Sequence, residues 1–290
     1  MTTPVIDVQG PLRKMPAEPG KPVSYQMTVG DTRVPLNDLI GRELQLDFGG
    51  EIRCIHCDRL TKKSFSQGYC YPCFRKLAAC DSCIVSPEKC HYYEGTCREP
   101  EWGETHCMVP HVVYLANSSG LKVGITRKTQ VPTRWIDQGA IAAIPMLEVA
   151  TRRLAGLVEV VCKAHVADRT NWRAMLKGDV EALDLEAERE RLLETVRSEL
   201  DELRVEHGEG AIRAVGDSGL DLAYPVEVWP SKIRTHNLDK TPQVAGRLEG
   251  VKGQYLILDS GVINIRKFTA YNVRLQVFEE RPQTSDLFSS

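Results

Sequence analysis

What the chain has little of narrows it first. No apolar run approaches the roughly 18 residues that a membrane-spanning helix needs, so no spanning helix and no membrane partner are expected. No basic stretch followed by an apolar one opens the sequence, and the expected location is the cytoplasm. The net charge is −2 over 290 residues. That balance excludes whole-molecule attraction to nucleic acid, so any contact with DNA or RNA has to come from local basic patches. Hydrophobic residues (42%) and charged residues (26%) stand in globular proportion, and the length suffices for two or three domains with a core.

Cysteine is what the chain does not lack. Nine of its ten cysteines fall between Cys54 and Cys107, the tenth being Cys162. Closely spaced pairs in a cytoplasmic protein point to metal rather than to disulfides. Cys54-x-x-Cys57 and Cys70-x-x-Cys73 are separated by twelve residues. Each pair presents two thiolates from one tight turn, and four thiolates complete a tetrahedral zinc shell. Four protein ligands leave no open position, so this zinc is read as a structural staple. A second set follows: Cys80 and Cys83 form a third CxxC, Cys97 and Cys107 are the next choices, and Cys90 is the alternative. Zinc in both sets gives two ions per chain; an iron–sulfur cluster is the other occupant four thiolates can hold. Cys162 is isolated and reads as a small buried hydrophobe.

Around these cysteines the chain divides by pattern. Residues 1–53 alternate polar and apolar at Pro22 to Val29 and at Glu43 to Phe48, with turns expected at Gly30-Asp31 and Gly49-Gly50, and read as a β unit. Residues 54–110 form the zinc-binding module. The loop between its first two knuckles carries Lys62 and Lys63 beside Phe65 and Tyr69, a mixture suited to phosphate contact and base stacking, or to a plain solvated loop. Residues 179–210 hold Leu185, Leu192, Leu193, Val196, Leu200 and Leu203 at helical spacing among charges, predicting one acidic amphipathic helix. Residues 222–280 return to β, with a hairpin turn at Asp259-Ser260-Gly261. Gly41 to Arg53 aligns with Gly253 to Arg266, so the two chain ends are candidates for one shared sheet or barrel. The polar tail from Arg281 is expected to be loose.

Residues 111–178 carry the chemistry. Val112-Val113-Tyr114-Leu115 and Leu121-Lys122-Val123-Gly124-Ile125 flank a polar turn ending in Gly120, a β-hairpin pattern. Pro132 stands at a helix start with Arg134 behind it. Leu154, Leu157, Val158, Val161 and His165 recur at helical spacing, with Glu159 at the edge of the stripe. Hairpin, Thr126, Arg134, helical Glu159 and then Asn171 resemble the GIY-YIG nuclease superfamily over about a fifth of the chain. Val112 stands where that family has Gly, and Lys122 where it has its second Tyr. The whole arrangement also resembles a bacterial family known by a domain-of-unknown-function label, whose members place a cysteine cluster ahead of such a domain.

The resemblance implies a catalytic set of Tyr114, Lys122, Arg134, Glu159 and Asn171. Tyr114 would help deprotonate water, Arg134 and Lys122 would hold phosphate, and Glu159 would bind Mg. Arg127, Lys128, Arg152 and Arg153 would add a phosphate-facing surface. Each residue also has a plain role, as strand aromatic, surface cation or helix-flank carboxylate. The expected fold class is α+β: β structure from the chain ends, a cysteine-rich zinc module, and a GIY-YIG-like hairpin-plus-helices domain. The expected function is action on DNA or RNA as a magnesium-dependent phosphodiester hydrolase. The alternatives are an inactive nucleic-acid-binding protein and a zinc-stapled interaction scaffold.

Overall fold

A computed structural model of the chain describes residues 3–166, 171–216 and 218–279. The tail from Arg281 lies outside the described residues. Ahead of the cysteines run β1 (Ile6–Pro11), β2 (Ala17–Glu18), β3 (Ser24–Val29), β4 (Thr32–Pro35) and β5 (Glu43–Ile52). The middle of the chain holds α1 (Tyr71–Lys76), α2 (Pro100–His106), β6 (His111–Asn117), β7 (Leu121–Arg127), α3 (Thr133–Asp137), β8 (Ala142–Val149), α4 (Arg152–Lys163), α5 (Trp172–Lys177), α6 (Leu185–Thr195), α7 (Arg197–His207), β9 (Ile212–Ala214) and β10 (Leu220–Asp221). The chain closes with β11 (Gln243–Lys252), β12 (Tyr255–Leu258), β13 (Gly261–Asn264) and β14 (Tyr271–Phe278). The architecture is mixed α+β with three antiparallel sheets. Among the described residues no helix is long and apolar enough to cross a membrane.

The chain divides into two compact units. The first takes residues up to Tyr71 and from Tyr224 onward; the second is Pro72–Ala223. In the first, a six-stranded sheet runs β1-β14-β5-β11-β12-β13, and a small sheet runs β2-β3-β4. Alternation explains both. Val273, Leu275 and Val277 of β14 are buried at every second position, as are Tyr25, Met27 and Val29 of β3. β3 and β4 turn at Gly30-Asp31, and β12 and β13 turn at Asp259-Ser260.

The Gly49-Gly50 turn does not form. β5 continues to Ile52, and its pairing with β14 slips between Phe48 and Ile52, so the glycines sit in a bulge. The aligned stretches at the two ends are therefore different structures: one strand at Gly41 to Arg53, a hairpin at Gly253 to Arg266. They do share a sheet, through the β5–β11 and β11–β12 pairings.

In the second unit the sheet runs β10-β8-β6-β7, with β9 also on β8. Val113, Leu115 and Val123 bury against Leu154, Ala155, Val158 and Cys162 of α4 and against Leu192, Val196 and Leu200. Thr151 caps α4 by accepting from Leu154 N at 3.3 Å. His165, counted in the apolar stripe, is exposed; Cys162 takes the buried place one turn earlier. The single acidic helix is two, meeting at Val196. Thr195 Oγ1 donates to Arg191 O at 2.7 Å, a back-bond of the kind that bends helices.

Candidate metal centre and a tyrosine–arginine–glutamate cluster

The Cys54, Cys57, Cys70 and Cys73 sulfurs all lie within 4.8 Å of one another. Cys54 directly follows β5, the Phe65–Tyr69 bridge closes the intervening loop, and Cys73 sits in α1. Cys57 Sγ and Cys70 Sγ stand 3.7 Å apart. A tetrahedron with zinc–sulfur bonds of about 2.3 Å has an edge of about 3.8 Å, so the spacing fits that ion. Burial opposes ionisation of the Cys54 thiol, but backbone N–H groups of Cys70, Cys57 and His56 outweigh it and bring it down to about 6. The four-cysteine cluster is thus pre-set to present thiolate to a cation, and it can hold zinc.

The later cysteines are arranged differently from expectation. Cys83, Cys90, Cys97 and Cys107 line one small cavity; Cys90 is among its walls and Cys80 is not. Cys80 closes the short turn Ala78–Cys80, and the chain re-enters the cavity only at Asp81. Burial first, then the charges of Asp81, Cys90, Cys107 and Cys97, push the Cys83 thiol up to about 11. Asp81, Cys83 and His91 also form a group whose ligand atoms lie within 4.8 Å, able to take a metal ion. Asp81 is meanwhile engaged by Arg98 Nε at 2.8 Å and accepts from Ser82 N at 2.6 Å. Among the described residues no two cysteines form a disulfide.

On the central sheet, Tyr114 of β6 faces Gly124 of β7, and Ala116 faces Lys122. Directly opposed residues point to one side of a sheet, so Lys122 shares the face of Tyr114. A Cβ at position 124 would lie 2.6 Å from the Tyr114 hydroxyl. Only glycine lets the ring lie flat across the neighbouring strand. Tyr114 Oη donates to Gln138 Oε1 at 3.0 Å and accepts from the Arg134 guanidinium. Burial pushes its phenol up to about 12; Arg134 pulls it down, Glu159 pushes it up, and Gln138 pulls it down. Arg134 and Glu159, 20 and 45 positions further on, are therefore both within electrostatic reach of Tyr114. Glu159 pairs with Lys163 at 3.3 Å. Thr126 is buried opposite Val112.

Other candidates sit elsewhere. The Asn171 side chain accepts from Arg173 N and Ala174 N, so it caps α5. Arg152 turns inward: its Nη2 donates to Ile84 O at 2.7 Å and its Nε is buried without a partner. The Arg153 Nε is likewise buried, because both arginines open α4 where it packs inward. Lys128 is held by Glu148 at 2.6 Å. Arg127 ends β7 opposite His111, half-buried. Lys62 and Lys63 are exposed, with Lys63 Nζ 5.4 Å from the Phe65 ring. Gln138 was not anticipated, although its place four residues after Arg134 is a helical-neighbour signal.

Fold and site together define a mixed α+β protein with a four-cysteine cluster able to hold a metal ion and a buried tyrosine flanked by a half-buried arginine and glutamate. Residues 41–273 match the model of a family described as "Protein of unknown function (DUF2797)", and the chain belongs to that family. The same comparison against curated proteins and against solved structures finds no match.

Proposed function

We propose that the protein acts on DNA or RNA, as a zinc-stapled, magnesium-dependent phosphodiester hydrolase whose chemistry sits in the second unit. The supporting observation is that Arg134 hydrogen-bonds the Tyr114 phenol and Glu159 acts electrostatically on the same group. The β6–β7 hairpin, α3 with Arg134 and α4 with Glu159 follow in the order that the GIY-YIG resemblance requires. Arg134 and Lys122 are half-buried cations suited to a phosphate oxygen. A phenol held near 12 stays protonated at neutral pH, so Tyr114 does not act as the base: it positions Arg134 and Gln138. Glu159 is half-buried and offers one carboxylate, which suffices for magnesium because that ion keeps several waters. When bound, magnesium supplies Lewis-acid stabilisation of the charge growing on phosphate. Zinc, if held by the first four cysteines, would brace the loop that carries Lys62 and Lys63.

A second reading, binding without cleavage, draws on two observations. Lys163 occupies one side of Glu159, with Arg152 acting on the same carboxylate. Asn171 spends its side chain on a helix cap. Incubation with labelled DNA and RNA separates the two. Hydrolysis needs cleavage with magnesium that chelation stops, and Glu159→Ala or Arg134→Ala should lower the rate by at least about 100-fold. Binding with steep salt dependence and no cleavage establishes the second reading, and no binding at low salt removes both.

A further inference from the structure

We propose that a second metal ion is held by Cys83, Cys90, Cys97 and Cys107, with the buried guanidinium of Arg152 as its counter-charge. The four residues surround a single cavity of about 10 Å³, room for one water-sized sphere. That space suits one ion; an iron–sulfur cluster is several atoms across. Tetrahedral divalent zinc is the species four thiolates would take in so small a space; the four sulfurs do not all lie within 4.8 Å of one another, so they would close on the ion as it binds.

The surrounding segment is poor in regular structure, and beyond the packing of its Pro87–Lys89 turn on α4 it has little apolar burial. From Ala78 to Glu94 it forms only short turns, at Ala78–Cys80, Ser82–Ile84, Pro87–Lys89 and Tyr92–Glu94. Its large apolar side chains Val85 and Tyr93 are 86% and 67% exposed. A stretch with so little core is stapled by a bound ion, whose binding energy becomes folding energy.

Arg152 is the second, independent mark. A guanidinium nitrogen buried without a partner is costly unless a negative charge stands near. Arg152 lies within electrostatic reach of Cys107 and Cys83, and its backbone N–H donates to Cys107 O at 2.8 Å. Zinc with four thiolates would carry a net charge of −2 by formal count, a second anion for Arg152 besides Glu159. Arg152 also feels Arg134 and Glu159, so it stands between this centre and the cluster on the sheet. Contact with α4 is tight: a Cβ at Gly156 would lie 2.5 Å from Glu88 N and 2.7 Å from Pro87 Cβ. The competing set, Asp81, Cys83 and His91, offers three ligands, and Asp81 already serves Arg98; it is assigned to the layer outside the thiols.

The test is metal content of the full chain, purified with zinc and also loaded with cobalt(II). Two ions per chain are expected. Cys97→Ser and Cys90→Ser should each remove one ion and about half of the thiolate-to-cobalt absorption. Cys80→Ser and His91→Ala should keep two. One ion in the wild-type protein, two ions kept in Cys97→Ser, one lost in Cys80→Ser, or an iron–sulfur spectrum would overturn the assignment. Should the serine variants fail to fold, alkylation mapping of the native protein decides. Chelation should raise labelling at Cys83, Cys90, Cys97 and Cys107 together with Cys54, Cys57, Cys70 and Cys73. Unchanged labelling of the later four refutes the site.

Discussion

Several single residues carry charge or polarity into places that water does not reach, and each has a pH signature. His111 is wholly buried, its Nδ1 donates to Val109 O at 2.7 Å, and its Nε2 has no partner. Burial, with smaller contributions from Arg152 and Arg127, drives its imidazole down to about 4. The folded state favours neutral histidine, so this contribution is complete above the unfolded value near 6.5 and lost as pH falls toward 4. The loss is on the order of 3 kcal/mol. Proton NMR should find the His111 ring uncharged at pH 5, and an imidazolium there contradicts the account. Lys252 is a second buried base. Its ammonium lies 5.1 Å from both the Tyr224 and Trp229 rings, has no hydrogen-bond partner, and is pushed down by burial to about 8. The rings offset part of the desolvation. The penalty is absent above about 10.5, grows as pH falls toward 8 and is complete below that, so Lys252→Met should stabilise the protein at pH 7 by on the order of 1–2 kcal/mol and by little at pH 10.5. Chemical denaturation at both pH values checks this.

Between elements, packing decides which helix lies where. α4 carries the buried stripe Leu154, Ala155, Val158 and Cys162 on one side and meets the Pro87–Lys89 turn at Gly156. A methyl group there would have to displace backbone. Gly156→Ala should therefore destabilise by about 1–3 kcal/mol, despite alanine's better helix propensity, and denaturant titration should show it. A neutral or stabilising outcome means that helix and turn are not in contact. Gly124 has the same logic on the sheet, where the obstacle is the Tyr114 ring. Neither glycine announced its reason in the sequence, because the neighbour is 10 positions away in one case and 68 in the other. The hairpin turns at Gly30-Asp31 and Asp259-Ser260 were legible, since a turn is a local event. Gly49-Gly50 carried the same letters and became a bulge, because β14 supplies a strand for β5 to follow past them.

Across the molecule, metal is the expected staple of the cysteine-rich stretch. A strong chelator should lower the thermal midpoint by about 5 °C or more and open hydrogen exchange first between Cys54 and Lys76. An unchanged midpoint after verified metal loss would remove the staple. The four thiols of that first centre could be read from spacing alone, since each CxxC pair sets its geometry within one turn. The residues of the later cavity could not, because Cys83, Cys90, Cys97 and Cys107 are brought together by successive turns whose directions no local pattern states.

By itself the sequence determined what depends on neighbours within a few positions: strand alternation, most of the tight turns and the paired thiols. It also named Tyr114, Arg134 and Glu159 as candidates through their order. Only the tertiary structure decided that Arg134 and Glu159 both act on the Tyr114 phenol, that Arg152 points inward, and that Cys90 rather than Cys80 lines the second cavity. Those outcomes follow from which surfaces bury against each other, a competition among distant segments that short-range spacing does not encode.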